Sequence, residues 1–123
     1  MIDAVGVDIA DAERIRRALA RWGEKFVERT FSAREARYCR RHRDAALRFA
    51  ARFAAKEAFV KCMGSTRGFR WNEIELLNDR SGKPRLEFSE SIRARLDARG
   101  VRRVHVSVSH TGPYAVAVVV FET

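Results

Sequence analysis

No stretch of this 123-residue chain approaches the roughly 18 consecutive apolar residues that a membrane span requires, which excludes an integral helical membrane protein. The opening MIDAVGVDIADAERI holds acids where a signal peptide would hold a basic stretch, so we expect a soluble, cytoplasmic protein. Cysteine is scarce. Cys39 and Cys62 form no C-x-x-C pair and each falls in a segment of helical pattern, which argues against a disulfide framework or a zinc site and for reduced thiols. Also missing are G-x-S-x-G, G-x-x-x-x-G-K-[ST] and G-x-G-x-x-G, so serine-hydrolase, P-loop and Rossmann readings lose their main support. No aromatic RNP strand, KH loop or paired zinc ligands appears, and the arginines are dispersed rather than gathered in a tail; nucleic acid is not the expected partner. Repeats and linkers are absent too, and the length suits one domain over residues 1–123.

Positive charge is what the chain has in excess. Twenty-five Lys and Arg against 16 Asp and Glu leave +9, a field that concentrates phosphates and acidic proteins around the molecule. Apolar residues make up 46% of the chain and the charges are mixed in sign, enough for a packed core.

The hydrophobic pattern predicts the elements in turn. Residues 1–9 alternate as a strand, with Val5, Val7 and Ile9 on one face, Asp8 on the other and Gly6 relieving crowding. Ile15, Ala18, Leu19 and Trp22 form a helical stripe over 11–22, leaving Arg14, Arg17 and Arg21 on an exposed face. A short helix over 25–29 follows Gly23, and Ser32 with Glu35 makes a capping box for a helix through Arg40. After a basic turn at 40–43 the longest helix runs from Asp44 to Gly64. Residues 71–77 read as a strand, 78–82 as a hairpin turn and 84–88 as its return; Ser89 caps a helix that Gly100 ends. Strands over 104–109 and 114–121 close the chain, with His110 to Pro113 as the turn between them. The sum is an α+β fold, a mostly antiparallel sheet packed on a long central helix.

A few residues stand out as chemistry. Asp8, near a strand end and just before a helix, either caps that helix or looks into a cleft. In RFAAKEAFVK the pairs Arg52/Lys56 and Glu57/Lys61 are each four apart, the spacing of ordinary salt bridges on a solvated helix face. The Ala and Phe around them suggest packing instead, and a packed charge needs a partner or a metal. Asp8 and Glu57 together would be an incomplete oxygen set of the kind that suits Mg²⁺, which keeps several waters and takes the rest of its shell from substrate phosphate. Lys61 beside them would neutralise a phosphoryl group. His110 is read as a turn histidine or a ligand contact; His105 as structural, and His42 as loop surface.

Three segments, VGVDIADAERI, RFAAKEAFVKCMG and VHVSVSHTGPYAVAVVVFE, together resemble the holo-acyl-carrier-protein synthases, the small class of 4′-phosphopantetheinyl transferases. FVERTFSAREARYC and WNEIELLNDRSGKPRL agree as well, so the likeness covers essentially the whole chain. The resemblance implies transfer of the phosphopantetheine arm of coenzyme A to a serine of apo acyl carrier protein, with release of 3′,5′-ADP, in fatty-acid or polyketide biosynthesis. By that likeness Asp8 and Glu57 are magnesium carboxylates and Glu57 and Lys61 are catalytic. Arg52, Lys61, Gly64, His110 and Thr111 fall on coenzyme A positions, and Arg14 and Arg21 on the basic face that meets the acidic carrier protein. A homotrimer with sites between subunits is also implied. The chain departs from the family at Ala4, where glycine is usual, and after Gly64, where STRGFRW lacks a second glycine immediately after its threonine.

Overall fold

The computed structural model describes residues 1–123. Strand β1 (Ile2–Asp11) leads into helices α1 (Ala12–Trp22), α2 (Glu24–Thr30), α3 (Ala33–Arg40) and α4 (Ala45–Met63). A hairpin of β2 (Ile74–Asn78) and β3 (Pro84–Phe88), helix α5 (Glu90–Arg99) and the strands β4 (Arg103–Thr111) and β5 (Tyr114–Glu122) complete the chain. The expected α+β class holds. Its strands form two antiparallel sheets, one of order β1-β5-β4 and one made of the hairpin alone.

Helix α4 runs across one face of the larger sheet because both surfaces are built small. Ala50, Ala54, Ala55 and Ala58 are fully buried on the helix, and Ala115 and Ala117 on β5. Gly6 is the closest point: a Cβ there would stand 2.1 Å from the Ala58 carbonyl oxygen. Phe59 then locks the layers together, its ring 4.8 Å from Phe88 and 5.3 Å from Phe121. Truncating such a ring costs about 3–5 kcal/mol.

Three local expectations are corrected. Trp71–Glu73 is a 3₁₀ turn rather than the start of a strand. The Glu73 carboxylate accepts from the Arg70 amide at 2.6 Å and Lys56 draws the Trp71 and Ile74 carbonyls inward, so the chain is extended only from Ile74. Strand β4 continues through Thr111. Gly112, at φ 57°, lets a two-residue turn with Pro113 join Thr111 to Tyr114, so His110 lies within the strand and not at a turn. Lastly, Arg52 and Lys56 are buried, at 4% and 0% exposure, and share no solvated face.

Candidate active site

The close contact at Gly6 sets α4 against β1, and the residues on either side of it become neighbours. Lys61 donates to an Asp8 carboxylate oxygen at 3.0 Å and to the Val7 carbonyl at 2.8 Å. Its partner is thus Asp8 on another element, and the expected i,i+4 pair with Glu57 does not form. Glu57, one helical turn earlier, is half-buried. Burial, and then the charge of Asp8, push its carboxyl above the ordinary carboxylate range, while Lys61 opposes them. Two carboxylates and an ammonium therefore meet where β1 crosses α4. Beside them opens a cleft of about 400 Å³ lined by Asp8, Glu57, Arg14, Ile9, Phe26 and Phe53, among others.

Local chemistry orients the cleft's other wall. Asp11 caps α1 by accepting from the Glu13 amide at 2.9 Å, so α1 starts at the mouth and turns Arg14 into it. Arg21 sits two turns on, exposed, its guanidinium 4.9 Å from the Trp22 ring.

The remaining predicted residues are elsewhere. The registers put Asp8 opposite Ala117 on β5 and His110 opposite Ala115. Strands β1 and β4 are the two edges of the sheet, so the two residues stand two strand spacings apart, about 10 Å across the sheet, and are further offset by two residues along the β5 that lies between them. Arg52 joins His110 in a second cleft of about 150 Å³, which shares no residue with the first. Thr111 ends β4, exposed, and Gly64 caps the end of α4 at φ 83°.

A knot that local spacing did not reveal supports the site from below. Both bonds of the Ser32/Glu35 capping box are present, but Glu35 is fully buried and also accepts from Lys56 at 2.6 Å and from the Leu76 amide at 3.0 Å. Burial lowers the Lys56 pKa, with Glu35 opposing. Every polar atom of the pair has a partner, and the knot ties α3, α4 and β2 behind Glu57. The signal available was the compositional one: Lys56 stands among alanines and a phenylalanine rather than among polar residues.

Comparison with known proteins decides the family. The family model described as the 4′-phosphopantetheinyl transferase superfamily matches residues 4–119. The chain belongs to that superfamily. It is 40% identical over 124 residues to the holo-[acyl-carrier-protein] synthase of Koribacter versatilis, covering 99% of each chain. The solved holo-[acyl-carrier-protein] synthase of Neisseria meningitidis superposes with a TM-score of 0.90 at 31% identity, over the full length of both chains. A Bacillus anthracis synthase, solved in complex with CoA (3′,5′-ADP), gives 0.82 at 34% identity, covering 100% of this chain and 98% of that one. The superfamily's helix and strand layers are thus reproduced throughout, including the elements that carry Asp8, Glu57 and Lys61.

Proposed function

We propose that this chain is a holo-acyl-carrier-protein synthase, which moves the 4′-phosphopantetheine arm of coenzyme A onto a serine hydroxyl of apo acyl carrier protein. The serine oxygen forms a bond to the arm's phosphorus as the bond to the second phosphate breaks. The serine proton is lost, and 3′,5′-ADP leaves. The observation that carries the reading is the meeting of Asp8, Glu57 and Lys61 beside a cleft whose far wall is a basic helix. Phosphoryl transfer needs charge neutralisation and positioning more than a covalent helper.

Asp8 and Glu57 suit a magnesium ion. Both are hard oxygen donors, and burial together with the charge of Asp8 raises Glu57, a cost that a cation between the two carboxylates would relieve. No third His, Cys, Asp or Glu joins them, in keeping with an ion that retains water. When bound, the ion supplies charge neutralisation for a pyrophosphate. Lys61 is anchored by Asp8 and the Val7 carbonyl, which leaves it able to meet charge developing on the phosphates. Arg14 and Arg21 dock the acidic carrier.

Arg52, His110, Gly64 and Thr111 belong to coenzyme A binding in this reading, yet the first two line a separate cleft of the same chain. A trimer resolves this if one subunit's Asp8 edge meets the next subunit's His110 edge. In its support, the sheet face turned away from α4 is apolar and open: Val5, Val7 and Ile9 are 60%, 53% and 64% exposed, and the facing Val120, Val118 and Val116 extend the patch. The setting is reducing and cytoplasmic, which the buried free thiols of Cys39 and Cys62 suit.

The test is mass spectrometry of apo acyl carrier protein incubated with the chain, coenzyme A and Mg²⁺. A phosphopantetheine mass gain is expected; carrier binding with no gain would make the chain a binding module instead. Lys61→Ala should act mainly on kcat rather than on KM for coenzyme A, and Arg14→Glu should raise KM for the carrier much more than KM for coenzyme A.

A further inference from the structure

The last turn of α4 leaves carbonyls with no partner inside the helix, and beyond it residues 65–69 make no backbone–backbone hydrogen bond at all. Gly64 closes the helix, its amide donating to the Val60 carbonyl at 2.8 Å. Within the loop the Arg67 amide donates to the Ser65 hydroxyl at 3.1 Å, and Phe69 pins the far end, its ring 6.4 Å from that of the buried Phe59. The rest of the hold comes from α5. Arg99 donates to the Cys62 carbonyl at 2.8 Å, which satisfies one of the open helix carbonyls. Arg95, one turn earlier on the same face, donates to the Arg67 carbonyl at 2.6 Å. Its guanidinium also lies 5.3 Å from the Phe69 ring, and a Cβ at Gly68 would stand 3.4 Å from its Nη1. No carboxylate claims Arg95; its one hydrogen bond is the one to the loop. The residue it holds, Arg67, directly follows Thr66, where the chain departs from its family.

We infer that Arg95 is a positioning residue: from α5 it clamps the loop after Gly64 in the shape that receives coenzyme A. Its effect falls on binding and not on the chemical step. Lys61 is fixed independently, by Asp8 and the Val7 carbonyl, and Arg99 holds the end of α4, so the groups proposed for the chemistry stay in place without Arg95. The loop does not. Without the clamp, residues 65–68 keep only their two ends as fixed points, and coenzyme A must order them as it binds, at a cost in affinity. The effect on coenzyme A rests on the proposed function; the anchoring of the loop does not.

Two measurements on the full chain, as parent, Arg95→Ala and Arg95→Lys, test this. The carbonyl that Arg95 holds is the one trypsin attacks when it cuts between Arg67 and Gly68, so limited digestion read by mass spectrometry reports the clamp directly. That cut should come sooner in Arg95→Ala, relative to cuts elsewhere, and be slowed again in Arg95→Lys, whose ammonium still reaches the carbonyl over the Phe69 face. Calorimetric titration should show coenzyme A binding Arg95→Ala about fivefold less tightly, with most of the affinity restored by lysine. In steady state kcat should change less than KM for coenzyme A, and KM for the carrier should stay as it was. An unchanged cut at Arg67 would remove the clamp. A faster cut with parental coenzyme A affinity would make Arg95 a contact of the fold alone and overturn the proposal, and so would a fall in kcat larger than the change in KM. A parent that ignores coenzyme A would overturn the proposed function as well, and the digestion pattern would then still show whether Arg95 holds the loop.

Discussion

Burial and the neighbouring Asp8 carboxylate push Glu57 above its ordinary range, so the folded chain holds that proton more tightly than the unfolded chain does. Stability from this group is therefore present at low pH and lost as pH rises from the unfolded value through the raised folded one. A neutral side chain of the same size escapes that loss. Glu57→Gln should unfold at pH 7 no more easily than the parent while losing activity by about two orders of magnitude or more. Added Mg²⁺ should raise Tm in the parent and leave the variant unmoved. A Gln variant clearly less stable than the parent would show that Glu57 serves the fold and not the site. Glu35 is the opposite case. Its carboxylate is fully buried against Lys56, and Glu35→Gln leaves that ammonium without a counter-charge; urea unfolding should register a loss of about 3–5 kcal/mol.

The approach of α4 to β1 governs the site at the level of elements. The atom that a side chain at Gly6 would strike is the Ala58 carbonyl, which as backbone cannot swing aside. Gly6→Ala should therefore push α4 off the sheet, lowering stability by about 1–3 kcal/mol and separating Glu57 and Lys61 from Asp8. The steady-state signature is a fall in kcat larger than the change in either KM; unaltered kinetics would mean that the three groups do not depend on this contact. Much at this scale was legible in the sequence. Caps at Ser89 and Ser32, the start of the longest helix at Asp44 and stops at Gly64 and Gly100 stand where the local pattern put them. Two kinds of cause lie behind the misses: local turns, at Gly112 and at Glu73, and side chains that answer to partners distant in sequence. Lys61 spacing suggested Glu57 but its ammonium is taken by Asp8, 53 residues away, and spacing put Arg52 and Lys56 together on a solvated face whereas Lys56 is buried against Glu35, 21 residues away. Residues 71–73 alternate like a strand, yet Lys56 and Glu73 bind their backbone into a turn. The resemblance to a family named Asp8, Glu57 and Lys61 together; spacing alone could not join a strand to a helix.

For the whole molecule, the decisive feature is that one chain holds Asp8 and His110 at opposite edges of the same sheet and an apolar valine face on the side away from α4. A charge placed in that face, Val118→Asp, should shift the chain to monomers in sedimentation and abolish transfer without unfolding it, since Val118 is 36% exposed within the chain. A sharper experiment asks whether the two edges work across subunits. Asp8→Ala and His110→Ala are each expected to be inactive alone. If each site takes Asp8 from one subunit and His110 from its neighbour, a mixed trimer contains junctions where both residues are intact. Random assortment of equal amounts makes about one junction in four complete, so refolding the two inactive variants together should restore about a quarter of parental activity. Mixing without subunit exchange should restore none. If both groups acted within one chain, every site in the mixture would still lack one of them, and refolding together would recover nothing; that result would put the site inside the subunit and leave the valine face without a catalytic role.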